Sequence, residues 1–226
     1  MEIYLDSADL DEIRDIEENF PIDGVTTNPT ILARSGAVNP AERLREIRQI
    51  IGQKKLFAQL TAVGAEECLA EARKLEKLLG VELIFKVPVN ADAAAVISAL
   101  YRKGYTVCAT AVYTVPQALL AAQAGASYIA PYVSHLDGMS LDGPAEAVRM
   151  QETLKVQGSD AKVLGASFRV GSQIERMMAG GVGAVTVTGS MLRSLWTSAG
   201  SDAELTAFRS NWRQAYGTGT LGDFIR

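Results

Sequence analysis

Eight short apolar runs, each leading into a stretch of helical spacing, constrain this chain more than any other feature. The runs are "EIYL", "DGVTT", "LFAQL", "LIFKVPV", "TVCAT", "SYIAP", "KVLGAS" and "AVTVT". Bounded apolar runs of this length read as buried strands. The spacers carry apolar residues at helical intervals, as in Leu69, Ala72, Leu75, Leu78 and Leu79, or in Ile174, Met177 and Met178. Glycine recurs where helix hands over to strand: Gly80, Gly104, Gly125, Gly158 and Gly180-Gly181. A residue without a side chain suits a left-handed helix C-terminus there. Strand and helix alternating eight times implies parallel pairing with right-handed crossovers, and eight such units close into an α/β (β/α)8 TIM barrel. An open doubly wound sheet is the alternative. The barrel is favoured because "YLDSADLDEI", which runs from the first strand into the first helix, holds no glycine and so no dinucleotide fingerprint.

The predicted organisation is a single barrel domain over residues 1–216 and a tail over 217–226. The stretch "SDAELTAFRSNWRQAYG" reads as an extra C-terminal helix opened by a Ser201 or Asp202 cap. The tail "GTGTLGDFIR" combines glycines with apolar residues and is expected to pack on a neighbouring subunit.

Charge and composition exclude several functions. A net charge of -4 with no Lys/Arg run gives nucleic acid no electrostatic footprint. Two distant cysteines, Cys68 and Cys108, fit no metal spacing and read as reduced, buried thiols; the single histidine, His135, builds no His-rich metal site. No stretch reaches the roughly 18 apolar residues of a membrane span. The acidic N-terminus is unlike a signal peptide. The expected setting is the cytoplasm, without membrane or nucleic-acid partners.

In such a barrel the C-terminal ends of all strands face one mouth, so residues distant in sequence meet there. Collected strand by strand, the mouth holds Asp6; Thr26, Thr27 and Asn28; Gln59; Lys86; Thr110 and Tyr113; Tyr132 and His135; Ser167 and Arg169. Lys86 is the informative member. Its neighbours Ile84, Phe85, Val87 and Val89 are apolar and Pro88 stiffens the exit. One reading is a lysine whose stem is buried and whose ammonium reaches water. The other is a nucleophile: burial disfavours the charged form of an amine, and a neutral amine can attack a carbonyl to form a Schiff base. Asp6 either caps the first helix or reaches Lys86, where a carboxylate would favour the protonated amine. The sequence leaves that balance open.

The motifs "YLDSADLDEI", "GVTTNPTI", "LFAQ", "FKVPV", "ATAVYT", "APYV" and "ASFR" resemble the transaldolase family, more narrowly its short fructose-6-phosphate aldolase branch. The resemblance implies a class I aldolase without metal or organic cofactor, in which Lys86 forms the Schiff base and Asp6 assists proton transfer. It implies that Asn28 and Ser167, beside Thr26 and Thr27, hold substrate, and that Gln59, Thr110 and Tyr132 position a catalytic water. Transaldolases carry Glu and Phe where this chain has Gln59 and Tyr132, and a phenol can move protons where a phenyl ring cannot. That pair points to cleavage rather than group transfer.

The aldolase branch usually places an arginine where His135 stands. Phosphate affinity is therefore expected to be weaker, or to rest on Arg169. The resemblance also implies hydroxyketone and aldehyde substrates and a homo-oligomer, pentamer or decamer. Rivals are a transaldolase, a pyridoxal-phosphate enzyme and a non-catalytic sugar-phosphate binder. The glycines of "AGGVGAVTVTGS" read as a tight helix-to-strand turn.

Overall fold

The computed structural model describes residues 1–80 and 83–225. Val81 and Glu82, which precede the predicted run "LIFKVPV", and Arg226 of the tail lie outside the described residues. The strands are β1 (Glu2–Asp6), β2 (Gly24–Thr26), β3 (Lys55–Gln59), β4 (Leu83–Pro88), β5 (Thr106–Val112), β6 (Tyr128–Pro131), β7 (Lys162–Gly165) and β8 (Ala184–Val187). They form one closed barrel in sequence order, and every pairing is parallel, including β1 with β8. All eight apolar runs are strands, as the alternation predicts, and the open-sheet alternative falls. Gly80, Gly104, Gly125, Gly158 and Gly181 take the positive φ expected of them, Gly104 at +83° and Gly158 at +71°, whereas Gly180 lies at -80°.

The helices are α1 (Leu10–Asn19), α2 (Pro29–Arg34), α3 (Pro40–Ile51), α4 (Ala65–Leu79), α5 (Ala93–Tyr101), α6 (Val115–Gln123), α7 (Val133–Gly138), α8 (Gly143–Val156), α9 (Gly171–Ala179), α10 (Gly189–Trp196) and α11 (Ala199–Tyr216). Two helices rather than one fill the β2–β3 and β6–β7 connections. On α4 the buried stripe is Cys68, Ala72 and Leu79, whereas Leu78 faces out. On α9, Ile174 and Met177 are buried and Met178 is not. No described helix is long and apolar enough to cross a membrane.

The interior of the barrel is layered because successive side chains of a strand point to opposite faces. An apolar, buried cluster fills the middle of the interior: Tyr4, Phe57, Ile84, Cys108, Tyr128, Ala130, Leu164 and Ala184. Its rings meet edge to face, Tyr4 with Phe57 at 4.9 Å and Phe57 with Tyr128 at 5.2 Å. Below it, at the N-terminal end, Glu2 gathers four donors. Lys55 Nζ and Lys162 Nζ approach Oε1 at 2.8 and 2.9 Å, and the Tyr4 and Tyr128 hydroxyls donate to Oε2 at 2.8 and 2.9 Å. Burial opposes the charge on Glu2, but these four donors outweigh it and hold the carboxyl at about 2. The polar residues of the other end therefore stand on a packed floor.

The chain divides into two compact units, Met1–Gly189 and Ser190–Arg226. The second carries α11, whose cap is Ser198 rather than Ser201 or Asp202: the Ser198 hydroxyl accepts from the Ser201 N–H at 3.0 Å. Within this unit the tail folds back on the helix. Trp212 Nε1 donates to the Gly219 carbonyl at 2.6 Å, and its ring stands 6.3 Å from that of Phe224.

Candidate active site

Strand alternation decides which side chains reach the mouth. Ile84 belongs to the interior layer, so Lys86, two residues on, points the same way one layer higher. Lys86 is 5% exposed and its Nζ donates to the Thr27 carbonyl at 2.9 Å. The buried stem and the buried nitrogen rule out the reading in which the ammonium extends into water. Gln59 of β3 pairs in register with Lys86 on one side, and Cys108 of β5 on the other. Burial pushes the Cys108 thiol up to about 12, against the opposing charge of Lys86.

Asp6 ends β1. The cap of α1 is Asp9, whose carboxylate accepts from the Asp11 and Glu12 N–H groups, so Asp6 is left to the barrel interior. Its Oδ1 accepts from the Thr26 hydroxyl at 2.6 Å. Thr26 in turn stands 2.6 Å from the Thr186 hydroxyl of β8. Burial pushes the Asp6 carboxyl above the usual carboxylate range, while the Lys86 charge and the Thr26 hydrogen bond pull the other way. Asp6 and Lys86 thus sense one another through space, although the hydrogen bond of Lys86 goes to Thr27.

Thr27 and Asn28 serve the backbone around them. The Thr27 hydroxyl donates to the Phe57 carbonyl at 2.8 Å. Asn28 Oδ1 caps α2 by accepting from the Ile31 N–H at 3.0 Å, and its NH2 group has no hydrogen-bond partner among the described residues.

On β5 the ladder slips between Thr110 and Val112, and Ala111 takes φ +58°. A bulge of this kind re-aims the residues around it, and here the Thr110 and Tyr132 hydroxyls lie 3.3 Å apart. Tyr132 also meets His135 edge on at 5.3 Å. The His135 Nδ1 shares a hydrogen bond of 3.0 Å with the Tyr113 hydroxyl. His135 is exposed, and that bond engages one of its two ring nitrogens.

Ser167 has φ +60°, an uncommon conformation for a residue with a side chain and one that concentrates at functional sites. Its hydroxyl lies 2.9 Å from that of buried Ser134. Arg169 is exposed. Its loop is tied down from within: Gln173 accepts from the Arg169 N–H at 2.8 Å and donates to Asp137 at 2.5 Å.

The fold thus gathers Asp6, Thr26, Gln59, Lys86, Thr110 and Tyr132 at one end of the barrel. Arg169 sits on an exposed loop, its guanidinium without a partner among the described residues. Two polar residues of this end escaped the sequence reading. Thr186 was legible in principle, since in "AVTVT" it shares a face with Ala184. Ser134 comes after the sixth strand, where no periodic signal exists. Among the described residues no three His, Cys, Asp or Glu side chains cluster as a metal site.

The sequence model of the family "Transaldolase/Fructose-6-phosphate aldolase" matches residues 3–218. A Streptococcus pneumoniae protein named "Probable fructose-6-phosphate aldolase" is 35% identical over 213 residues, which is 94% of this chain and 96% of that one. Among solved structures, a thiamine phosphate pyrophosphorylase from Pyrococcus furiosus superposes with a TM-score of 0.58 at 12% identity. It covers 83% of this chain and 85% of that one, a likeness of fold alone.

Proposed function

The chain belongs to the transaldolase/fructose-6-phosphate aldolase family and is an enzyme of the aldolase/transaldolase type; from that premise we propose that it cleaves and forms carbon–carbon bonds through a Schiff base on Lys86. The observation that carries this reading is the buried Lys86 amine at the barrel mouth with the Asp6 carboxyl within electrostatic reach.

The Lys86 amine attacks the ketone of a ketose, and loss of water from the carbinolamine gives an iminium. The hydroxyl two carbons away gives up its proton, the carbon–carbon bond breaks, and its electron pair flows into the iminium as an enamine. An aldehyde leaves. Protonation of the enamine and hydrolysis return the hydroxyketone and the free amine. Asp6 carries protons in the steps at the nitrogen: a carboxyl lifted above its ordinary range takes up and releases protons nearer to neutrality. Gln59, Thr110 and Tyr132 hold the water that relays protons at carbon. Asn28 offers its free NH2 to substrate hydroxyls, beside Thr26, Thr27 and Ser167. Metal and organic cofactor have no part in the scheme.

The donor is dihydroxyacetone or a related hydroxyketone, and the acceptor an aldehyde such as glyceraldehyde 3-phosphate. His135 and Arg169 flank the acceptor side, so a phosphate there relies chiefly on Arg169. Gln59 and Tyr132 favour aldol cleavage with release over transfer of the three-carbon unit. The working form is a homo-oligomer, pentamer or decamer, in the cytoplasm. The test compares cleavage of fructose 6-phosphate alone with cleavage in the presence of erythrose 4-phosphate, for the wild type and Lys86→Met. Release of hydroxyketone without acceptor, abolished in Lys86→Met, is expected. Turnover only with the acceptor sugar would make the enzyme a transaldolase. Full activity in Lys86→Met would remove the Schiff base.

A further inference from the structure

The mouth contains a second polar line besides the lysine. It runs from β8 through β2 to β1: Thr186 Oγ1, Thr26 Oγ1 and Asp6 Oδ1, with both intervals 2.6 Å. Thr26 is fully buried and Thr186 is 4% exposed. Each hydroxyl has one proton to give. A carboxylate only accepts, so when Asp6 is ionised the Thr26 proton must lie on the Asp6 bond. Thr26 then accepts from Thr186, whose hydroxyl has no other partner among the described residues.

We propose that Thr186 is a positioning residue: by donating to Thr26 it commits the only Thr26 hydroxyl proton to Asp6 Oδ1 and so stabilises the carboxylate form of Asp6. Donation into a hydroxyl that itself donates strengthens the second bond, since hydrogen bonds in a chain polarise one another. The surroundings of Asp6 leave room for such an effect. The strands flanking β1 supply the hydroxyls of this line, Thr26 from β2 and Thr186 from β8. The charged group that faces it is Lys86 from β4. On the helix packed outside β1, Asp9 and Asp11 are exposed and Glu12 lies against Gly189. Between a half-buried carboxyl whose ionisation desolvation opposes and a lysine that rewards it, the hydroxyl line is the adjustable contribution. The chain of bonds also reverses. Once Asp6 gains a proton on Oδ1 it donates to Thr26, Thr26 donates to Thr186, and Thr186 turns from donor to acceptor. Only the hydroxyl hydrogens reorient, and the three oxygens keep their places.

The catalytic consequence rests on the reading of Asp6 as a proton carrier, but the placement of its charge does not. Infrared difference titration of protein labelled with 13C-aspartate reads the Asp6 carboxyl directly, its band assigned by its loss in Asp6→Asn. The variants are Thr186→Val, which keeps shape and removes the hydroxyl, Thr186→Ala as a smaller second deletion, and Thr186→Ser, which restores the hydroxyl. The expected result is an Asp6 midpoint raised by about half a pH unit in Thr186→Val and Thr186→Ala, with Thr186→Ser at the wild-type value. Thr26→Val, which removes the bond to Asp6 itself, moves it further. An unmoved midpoint in folded Thr186→Val or Thr186→Ala overturns the proposal, because a merely structural threonine would cost stability and leave the carboxyl where it was. The pH profile of kcat/KM in the same variants separates the two claims. If the carboxyl moves and the acid limb of the profile does not move with it, the hydroxyl line stands and the role of Asp6 in turnover fails.

Discussion

Replacing Glu2 with glutamine should destabilise the barrel from the end opposite the proposed chemistry. The carboxylate takes donors from Lys55, Lys162, Tyr4 and Tyr128, all between 2.8 and 2.9 Å. Glutamine keeps the shape and one acceptor oxygen but no charge, so the lysines lose their counter-ion and the phenols face an NH2 group. The depression of the Glu2 carboxyl from 4.5 to about 2 corresponds at face value to about 3 kcal/mol. Lys55 and Lys162 are 31% and 47% exposed, so water screens their share, and about 2 kcal/mol is the expected cost. For a chain of this length that lowers Tm by roughly 4–8 °C, measured by circular dichroism at fixed protein concentration. The folded-state value lies below the unfolded one, so the contribution is complete above about 4.5 and fades as pH falls towards about 2. The gap between wild type and variant should therefore narrow on acidification through that window. A cost below about 0.5 kcal/mol at pH 7, or a gap that does not change between about pH 5 and pH 3, would refute the assignment of Glu2 as the ionised hub of the floor.

Two further outcomes test the mouth. Tyr132→Phe removes the hydroxyl that meets Thr110 at 3.3 Å; cleavage should fall by about a hundredfold while Lys86 still forms its adduct, and loss of the adduct as well would place Tyr132 earlier in the sequence of steps. His135→Arg exchanges a ring held by Tyr113 for a charged fork, and should lower KM for a phosphorylated acceptor about tenfold relative to its unphosphorylated analogue; equal change for both would remove position 135 from phosphate recognition.

The fold was legible because its signal repeats. Each strand is an apolar run with a glycine-punctuated helix behind it, and eight repetitions leave few topologies. The paired helices after β2 and β6 and the Ser198 cap were less visible, because short helices and caps rest on local hydrogen bonds that several nearby residues can supply. At the mouth, Lys86 stood out as a charge inside an apolar run, and period two gave its direction. Asp6 could not be told from a helix cap until Asp9 was seen to fill that role. Thr186 was hidden because a threonine in "AVTVT" is also an ordinary strand residue, and only its 2.6 Å approach to Thr26 across the closed barrel gives it meaning. The Thr110–Tyr132 contact depends on the bulge at Ala111, which no residue type announces.

The central claim is that the buried Lys86 nitrogen bonds to a sugar carbonyl. Borohydride reduction in the presence of dihydroxyacetone, with peptide mass mapping of the product, tests it most directly. The account predicts a stable hydroxyketone adduct on the peptide containing Lys86 and on no other lysine, with activity lost in step. An unmodified Lys86 in protein that turns over substrate would contradict it.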